Sequence, residues 1–348
     1  MNLADLIDLG AAAMRTAWYL LYESSVWLLI GLLAAGLART IVGRRWPKWP
    51  GFALAVVSGL VSPETRAEAS GLRLSWNAGA RAAHTVSAAA LRLDGLALVL
   101  AFLGPYCVAA VVVAGLAASV LAGAGAAIGG RTADVRPVSP VPEEPASRPN
   151  AFAECIGFAY IRLVSDVARW FVLGLVAAGV IHVLLDFQAG PWPLSTHAEA
   201  FAVMMVLGFV LQIRLAGSAP VAGMLVLAGL PAGPAVAFMV TGAASGAARN
   251  SRLRETLGVR GWLLAMALAG AGGVAAGAGF DVLASREGWT TDARSWAAIG
   301  PVGFPEAVFV GASTTLVVLL FIGIFKEILD IGRGHARYLG ETGSNRSS

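Results

Sequence analysis

The 348-residue chain is 57% hydrophobic and only 13% charged, with a net charge of +4 at pH 7 and a mean hydropathy of +0.73. A soluble domain carries about 25% charged residues, and one of this length could not cover such long apolar blocks with polar surface. A soluble enzyme, a disulfide scaffold, a disordered chain and a nucleic-acid-binding domain are excluded, and an all-α polytopic membrane protein remains. Of the 25 basic residues only Lys48 and Lys326 are lysines, and most arginines fall between the apolar blocks. Cys107 and Cys155 lie in separate apolar contexts and imply no disulfide framework. The start of the chain, with Asp5 and Asp8, lacks the basic region of a cleavable signal peptide.

A hydrocarbon core about 30 Å thick needs roughly 20 apolar residues in helix. In chain order, the full-length candidates are residues 16–42, 105–129, 169–186, 262–283 and 306–325. Two further regions are apolar but interrupted. The first, 51–104, is broken by the polar run Ser62-Pro63-Glu64-Thr65-Arg66-Ala67-Glu68. The second, 199–248, is broken at Arg214, at Gly217-Ser218-Ala219-Pro220 and at Leu230-Pro231-Ala232-Gly233. Their pieces, about 12–16 residues long, are too short to span comfortably. Glycine and proline at the joins predict broken or re-entrant helices. Between the halves, residues 131–150 form a proline-rich linker, and the tail from Gly332 is expected to fray.

The run from Trp27 to Leu37 recurs from Trp170 to Val180, with Trp, Gly, Leu, Ala, Ala and Gly identical and the other positions apolar. Glu23 falls on Asp166 in the same register. Later in each half, Leu103-Gly104 matches Leu257-Gly258, and Ala122-Gly123-Ala124-Gly125 matches Ala276-Gly277-Ala278-Gly279. The chain therefore divides into a first membrane repeat (1–130), the linker (131–150), a second repeat (151–290) and a final helix with tail (291–348). Arginines follow the first helix (Arg39, Arg44, Arg45) but precede its counterpart (Arg162, Arg169). By the positive-inside rule the second repeat is inverted, with the N-terminus outside and the C-terminus cytoplasmic, in a multi-pass cell inner membrane. Inverted halves with broken helices are a transporter architecture, in which mid-membrane backbone groups replace a solute's hydration shell.

Ala216-Gly217-Ser218-Ala219-Pro220-Val221-Ala222 resembles a T-G-S-T-P-I-A turn, and Gly229-Leu230-Pro231-Ala232-Gly233-Pro234-Ala235-Val236-Ala237-Phe238 resembles its G-L-S-P-G-A-A-L-A-F continuation. With Leu103-Gly104-Pro105, they resemble the predicted permease family that includes the bacterial organoarsenical efflux permeases. The resemblance implies the scaffold and a transport role. The family's C-S-C-G turn would fall near Leu60–Pro63, where no cysteine stands, and of its P-E-T-G turn near Ala89–Arg92 only Asp94 remains in common. Arsenicals and soft metals are captured by thiolates, so the family's substrate does not carry over.

The candidate substrate site lies where the two broken regions meet: Ser62, Glu64, Arg214, Gly217, Ser218, Pro220 and Ser245. An arginine inside a bilayer costs at least about 2.5–3.5 kcal/mol and must face protein or water, so Arg214 is the candidate for fixing an anionic or polar group. Glu23 and Asp166 form the symmetric carboxylate pair suited to carrying a coupling proton. Each has a structural alternative: Arg214 snorkelling at an interface, Glu64 in a solvated hairpin tip, Asp166 paired with Arg162 or Arg169. His197-Ala-Glu199 supplies only two ligand types, too few for a metal site. No phosphate-binding glycine loop or catalytic triad stands in the chain, and neither an enzyme nor a cofactor is expected. The reading is a membrane permease of the secondary-transport type, exporting a small polar or anionic solute by alternating access. The alternative is a non-transporting membrane subunit that uses the scaffold as an assembly platform. The expected partners are the lipid bilayer and that solute, with a protein partner or homo-oligomer left open and no nucleic acid.

Overall fold

A computed structural model describes residues 3–43, 55–56, 77–129, 151–184, 196–250, 253–289 and 304–344. The linker at 131–150 and the candidates Ser62 and Glu64 lie outside these residues. All regular structure among the described residues is helical. We label the helices α1 (Leu3–Gly43), α2 (Ala78–Ala90), α3 (Leu93–Gly129), α4 (Ala151–Gly157), α5 (Val164–Leu184), α6 (His197–Leu211), α7 (Leu215–Leu227), α8 (Ala232–Asn250), α9 (Leu253–Glu287) and α10 (Glu306–Ser344). A π-helical stretch, Phe158–Leu163, joins α4 to α5 without a break.

Among the described residues, five stretches are long and apolar enough to cross a membrane: Ile7–Ile41, Leu93–Gly129, Cys155–Leu184, Leu257–Glu287 and Glu306–Lys326. The chain is a helical membrane protein. Each of the five expected spans is found, and several run longer than the sequence suggests. The third begins before Arg169 because Arg162 and Arg169 lie on its exposed face, where neither interrupts the helix; Arg169 rests over the Trp170 ring. The tail past Gly332 is helical to Ser344, for no proline blocks its backbone. Phe321 and Phe325 on α10 are exposed, as suits a lipid-facing surface.

The short helices have local causes. Asn77 caps α2 by accepting the Ala80 amide at 2.7 Å. Thr196 and Glu199 form a reciprocal capping box that starts α6, which accounts for the acidic partner of His197. α6 ends at Gln212, whose φ is +50°, and α7 begins after an extended Arg214. The expected break at Gly217–Pro220 does not occur. Pro220 stands in the second turn of α7, where its missing N–H removes a single intrahelical bond.

Small residues let the helices touch backbone to backbone. In α3 against α9, a Cβ on Gly125 would meet Ala265, one on Gly129 would meet Gly261, and one on Gly272 would meet Ala118. The pairing descends one helix as it ascends the other, so the two run antiparallel. α1 and the α4–α5 helix are antiparallel in the same way, with Gly36 against the Cys155 carbonyl and Gly179 against that of Ala13. α2 sits on α3 through Gly79, opposite Gly123 and Ala127. α8 sits on α9 through Gly233, opposite Gly277 and Asp281. α6 runs parallel to α8, with Gly208 beside Thr241 and Gln212 beside Gly246.

Candidate functional site

Two chain breaks meet on α5. The first is the two-residue gap Leu91-Arg92 between α2 and α3; the second is Gln212–Arg214 between α6 and α7. Each break presents an arginine. Arg92 Nε donates to Asp94 Oδ1 at 3.0 Å, and Arg92 Nη1 donates to Asp166 Oδ2 at 2.8 Å. Arg214 Nη1 pairs with the same Asp166 oxygen and also donates to the Asp166 backbone carbonyl at 3.3 Å. Two arginines and two aspartates thus form one neutral chain of ion pairs, Asp94–Arg92–Asp166–Arg214, with a single carboxylate bridging both breaks.

The network lies inside the bundle. Arg92 is 9% and Asp94 1% exposed, and the side chains of Asp166 and Arg214 are about four-fifths buried. Asp166 stands roughly 16 Å along the helix axis from Cys155, the start of its span, and roughly 27 Å from Leu184 at its end. Charges at such depth are costly unless paired and hydrogen-bonded, and here each finds an opposite charge. A narrow crevice opens among Arg92, Asp94, Val167, Arg214, Leu215 and Ala216.

Of the residues named from sequence, Arg214 and Asp166 are brought together directly. Gly217 and Ser218 follow in the first turn of α7, their amides donating to the Arg214 carbonyl at 2.9 Å, whereas Pro220, Ser245 and Glu23 stand elsewhere. Gly217 packs its backbone on Gly174 and on the Trp170 carbonyl. The buried Ser218 hydroxyl donates to the Leu215 carbonyl in its own helix, at 3.2 Å. Pro220 is buried inside α7. Ser245 donates to the carbonyls of Gly242 and, across to α6, of Gly208. Glu23 lies half-buried on α1 and is hydrogen-bonded by the Tyr19 hydroxyl.

Arg92 and Asp94 did not stand among the sequence-derived site residues. Their signal was present: two opposite charges two residues apart inside a stretch otherwise apolar from Ala82 to Leu103, apart from a few hydroxyls and His84. A second polar feature sits at one end of the bundle, where Gly233 N donates to Asp281 Oδ1 at 2.7 Å and His197 Nδ1 lies 3.9 Å from Asp281 Oδ2.

Fold and site together define a polytopic helical membrane protein with a neutral charge network buried at two helix breaks. No family model, curated protein or solved structure matches the chain.

Proposed function

We propose that the protein is a secondary-transport permease, built as an inverted repeat, that moves a small polar or anionic solute by alternating access. The observation that carries the reading is Asp166 held between Arg92 and Arg214, one arginine from each broken region. A charge network at helix breaks is where a solute can exchange its water shell for protein groups. Ion pairs shared by two elements also supply contacts that differ between two packings of those elements.

Several observations support the repeat. The packing of Gly79 on Gly123 and Ala127 reappears, shifted by the same 154 positions, as Gly233 on Gly277 and Asp281. Ala118 and Gly272, also equivalent by that shift, are the residues at which their two antiparallel helices meet. Equivalent helices that cross antiparallel at equivalent residues are related by a two-fold axis, and in a membrane that relation inverts one half. α6 and α7 read as a re-entrant hairpin with Arg214 at its tip: His197 at the start of α6 and Gly233, just past the end of α7, both neighbour Asp281. An N-terminus outside, a C-terminus in the cytoplasm and an inner-membrane location follow from the arginine placement. The likeness to the organoarsenical permeases agrees with the scaffold and leaves the solute to be found.

Flux assays in proteoliposomes test the proposal. Radiolabelled small anions and polar solutes are offered with and without an imposed pH gradient, and uptake by the wild type should fall at least tenfold in Arg214→Ala. No flux of any solute, together with a protein that co-purifies in fixed stoichiometry, would instead favour the assembly platform.

A further inference from the structure

We infer that the π-helical turn Phe158–Leu163 is the moving part of the permease: it houses one surplus residue, and passing that residue along the helix turns Asp166 out of its place between Arg92 and Arg214. The inference rests on the permease reading and names the step that switches the ion-pair network.

The surplus residue can be counted from contacts. Gly36 and Gly179 are equivalent by the 143-position shift that also aligns Trp27 with Trp170 and Glu23 with Asp166. Gly36 packs on the Cys155 carbonyl, and Gly179 packs on that of Ala13. The two-fold relation that exchanges the two helices therefore pairs Ala13 with Cys155, which stand 142 positions apart. Glu23 follows Ala13 by 10 positions of unbroken α-helix, whereas Asp166 follows Cys155 by 11. The π-helical turn lies inside that longer interval. A π-turn is how a helix takes in one added residue while both flanks keep their register, and such turns gather at functional sites.

Both flanks are anchored. Upstream, Cys155 and Ala159 pack on Gly36, and the Tyr160 hydroxyl donates to the Leu29 carbonyl at 3.3 Å. Downstream, Phe171 is fully buried, and Gly174 packs on Gly217 of α7. Asp166 lies between these anchors, three residues past the turn. The α10 residue against Val164 and Ser165 is Gly323, which puts no side chain in their way.

Moving the π-turn past Asp166 transfers Val164, Ser165 and Asp166 from the register of the downstream flank to that of the upstream flank. Each then rotates by about 100° and advances by about 1.5 Å. Ser165 moves toward the place that Asp166 now holds, and Asp166 toward that of Val167. A hydroxyl thus meets the arginines where the bridging carboxylate stood. The glycine contacts of both flanks stay as they are, so the network opens without repacking the helices. Helix register shifts of this kind are among the motions that switch two-state proteins.

Deletion of Ile161, an exposed residue of the turn, tests the inference in the full chain purified in detergent. Without the surplus residue the helix closes into continuous α-helix with both flanks in register. The variant should elute as the wild type does and unfold at no lower temperature. Deletion of Val176, exposed on the regular part of the same helix, has no turn to absorb it and should be clearly less stable. Amide hydrogen exchange resolved to single residues reads the motion. Val164, Ser165 and Asp166 should exchange about tenfold faster in the wild type than in the Ile161 deletion, whereas a turn that stays in place speeds exchange within Phe158–Leu163 alone. An Ile161 deletion as unstable as the Val176 deletion would show that no surplus residue is housed there. Equal exchange at Val164, Ser165 and Asp166 in the two proteins would show that the turn does not move. Either result overturns the inference. A wild type that carries no solute in proteoliposomes, with stability and exchange as expected, would sink the permease reading alone; flux left intact by the Ile161 deletion would sink this inference alone.

Discussion

Gly104 and Gly258, 154 positions apart, hold the same backbone conformation, with φ 83° and ψ 176° at the first and φ 71° and ψ 168° at the second. Each kinks a long apolar helix inside its spanning stretch, Gly104 within Leu93–Gly129 and Gly258 at the start of Leu257–Glu287. This region of backbone space is open to glycine almost alone, because a Cβ collides with the neighbouring peptide. Gly104→Ala and Gly258→Ala should each destabilise the protein by about 1–3 kcal/mol. Gly279→Ala, on the same helix as Gly258 and with nothing within 4 Å of the added methyl, should be neutral or slightly stabilising. Unfolding in mixed detergent micelles checks all three, and an equal loss at Gly279 would remove the conformational explanation.

The Asp166–Arg214 pair gives a second prediction. Removing one member of a buried ion pair strands the other charge, at a cost of about 3–5 kcal/mol. Asp166→Ala and Arg214→Ala should each approach that loss, while the double substitution should cost less than their sum, because neither charge is then left alone. Asp166→Ala should be the worse single change, as it abandons Arg92 as well. Strict additivity in a double-mutant cycle would show that the two side chains do not sense each other.

Asp281 caps α8 from a neighbouring helix, accepting the Gly233 amide at 2.7 Å. A cap of this kind is worth about 1 kcal/mol. Asp281→Asn retains an acceptor and should lose little, whereas Asp281→Ala should lose the whole contribution. Amide exchange at Gly233 offers a local readout: it should quicken in the alanine variant and stay near wild type in the asparagine variant.

Both cysteines are free and buried, Cys107 at 1% and Cys155 at 5% exposure. Neither should react with a membrane-permeant maleimide in the native protein, and both should react after denaturation in SDS. Rapid native labelling would mean that the α3 or α4–α5 packing opens readily.

The spans were legible because each is a long apolar run whose length alone decides it. The joins were partly legible. Arg214 stood out as a lone charge after an apolar run, and α7 does begin directly after it. Gly217–Pro220 looked like a join and is helical, because a proline early in a helix removes only one bond. Arg92 and Asp94 were harder to weigh. Two residues apart in sequence, they resemble a self-contained surface pair, and Asp166, the partner that makes them part of a site, is 74 residues beyond Arg92. The equivalence of Glu23 and Asp166 in sequence gave no hint that one is held by two arginines and the other by a tyrosine hydroxyl.

The order in which the network's members are synthesised bears on how the protein is made. Arg92 reaches the membrane before Asp166 exists, and at about 5–20 residues per second the intervening 74 residues take roughly 4–15 s. During that wait an unpaired arginine would resist insertion. Asp94, two residues on and bonded to the Arg92 Nε, is the only member of the network available to neutralise it in time. In this light Asp94 is an escort for a nascent chain: it carries Arg92 into the bilayer until the second half arrives to complete the network.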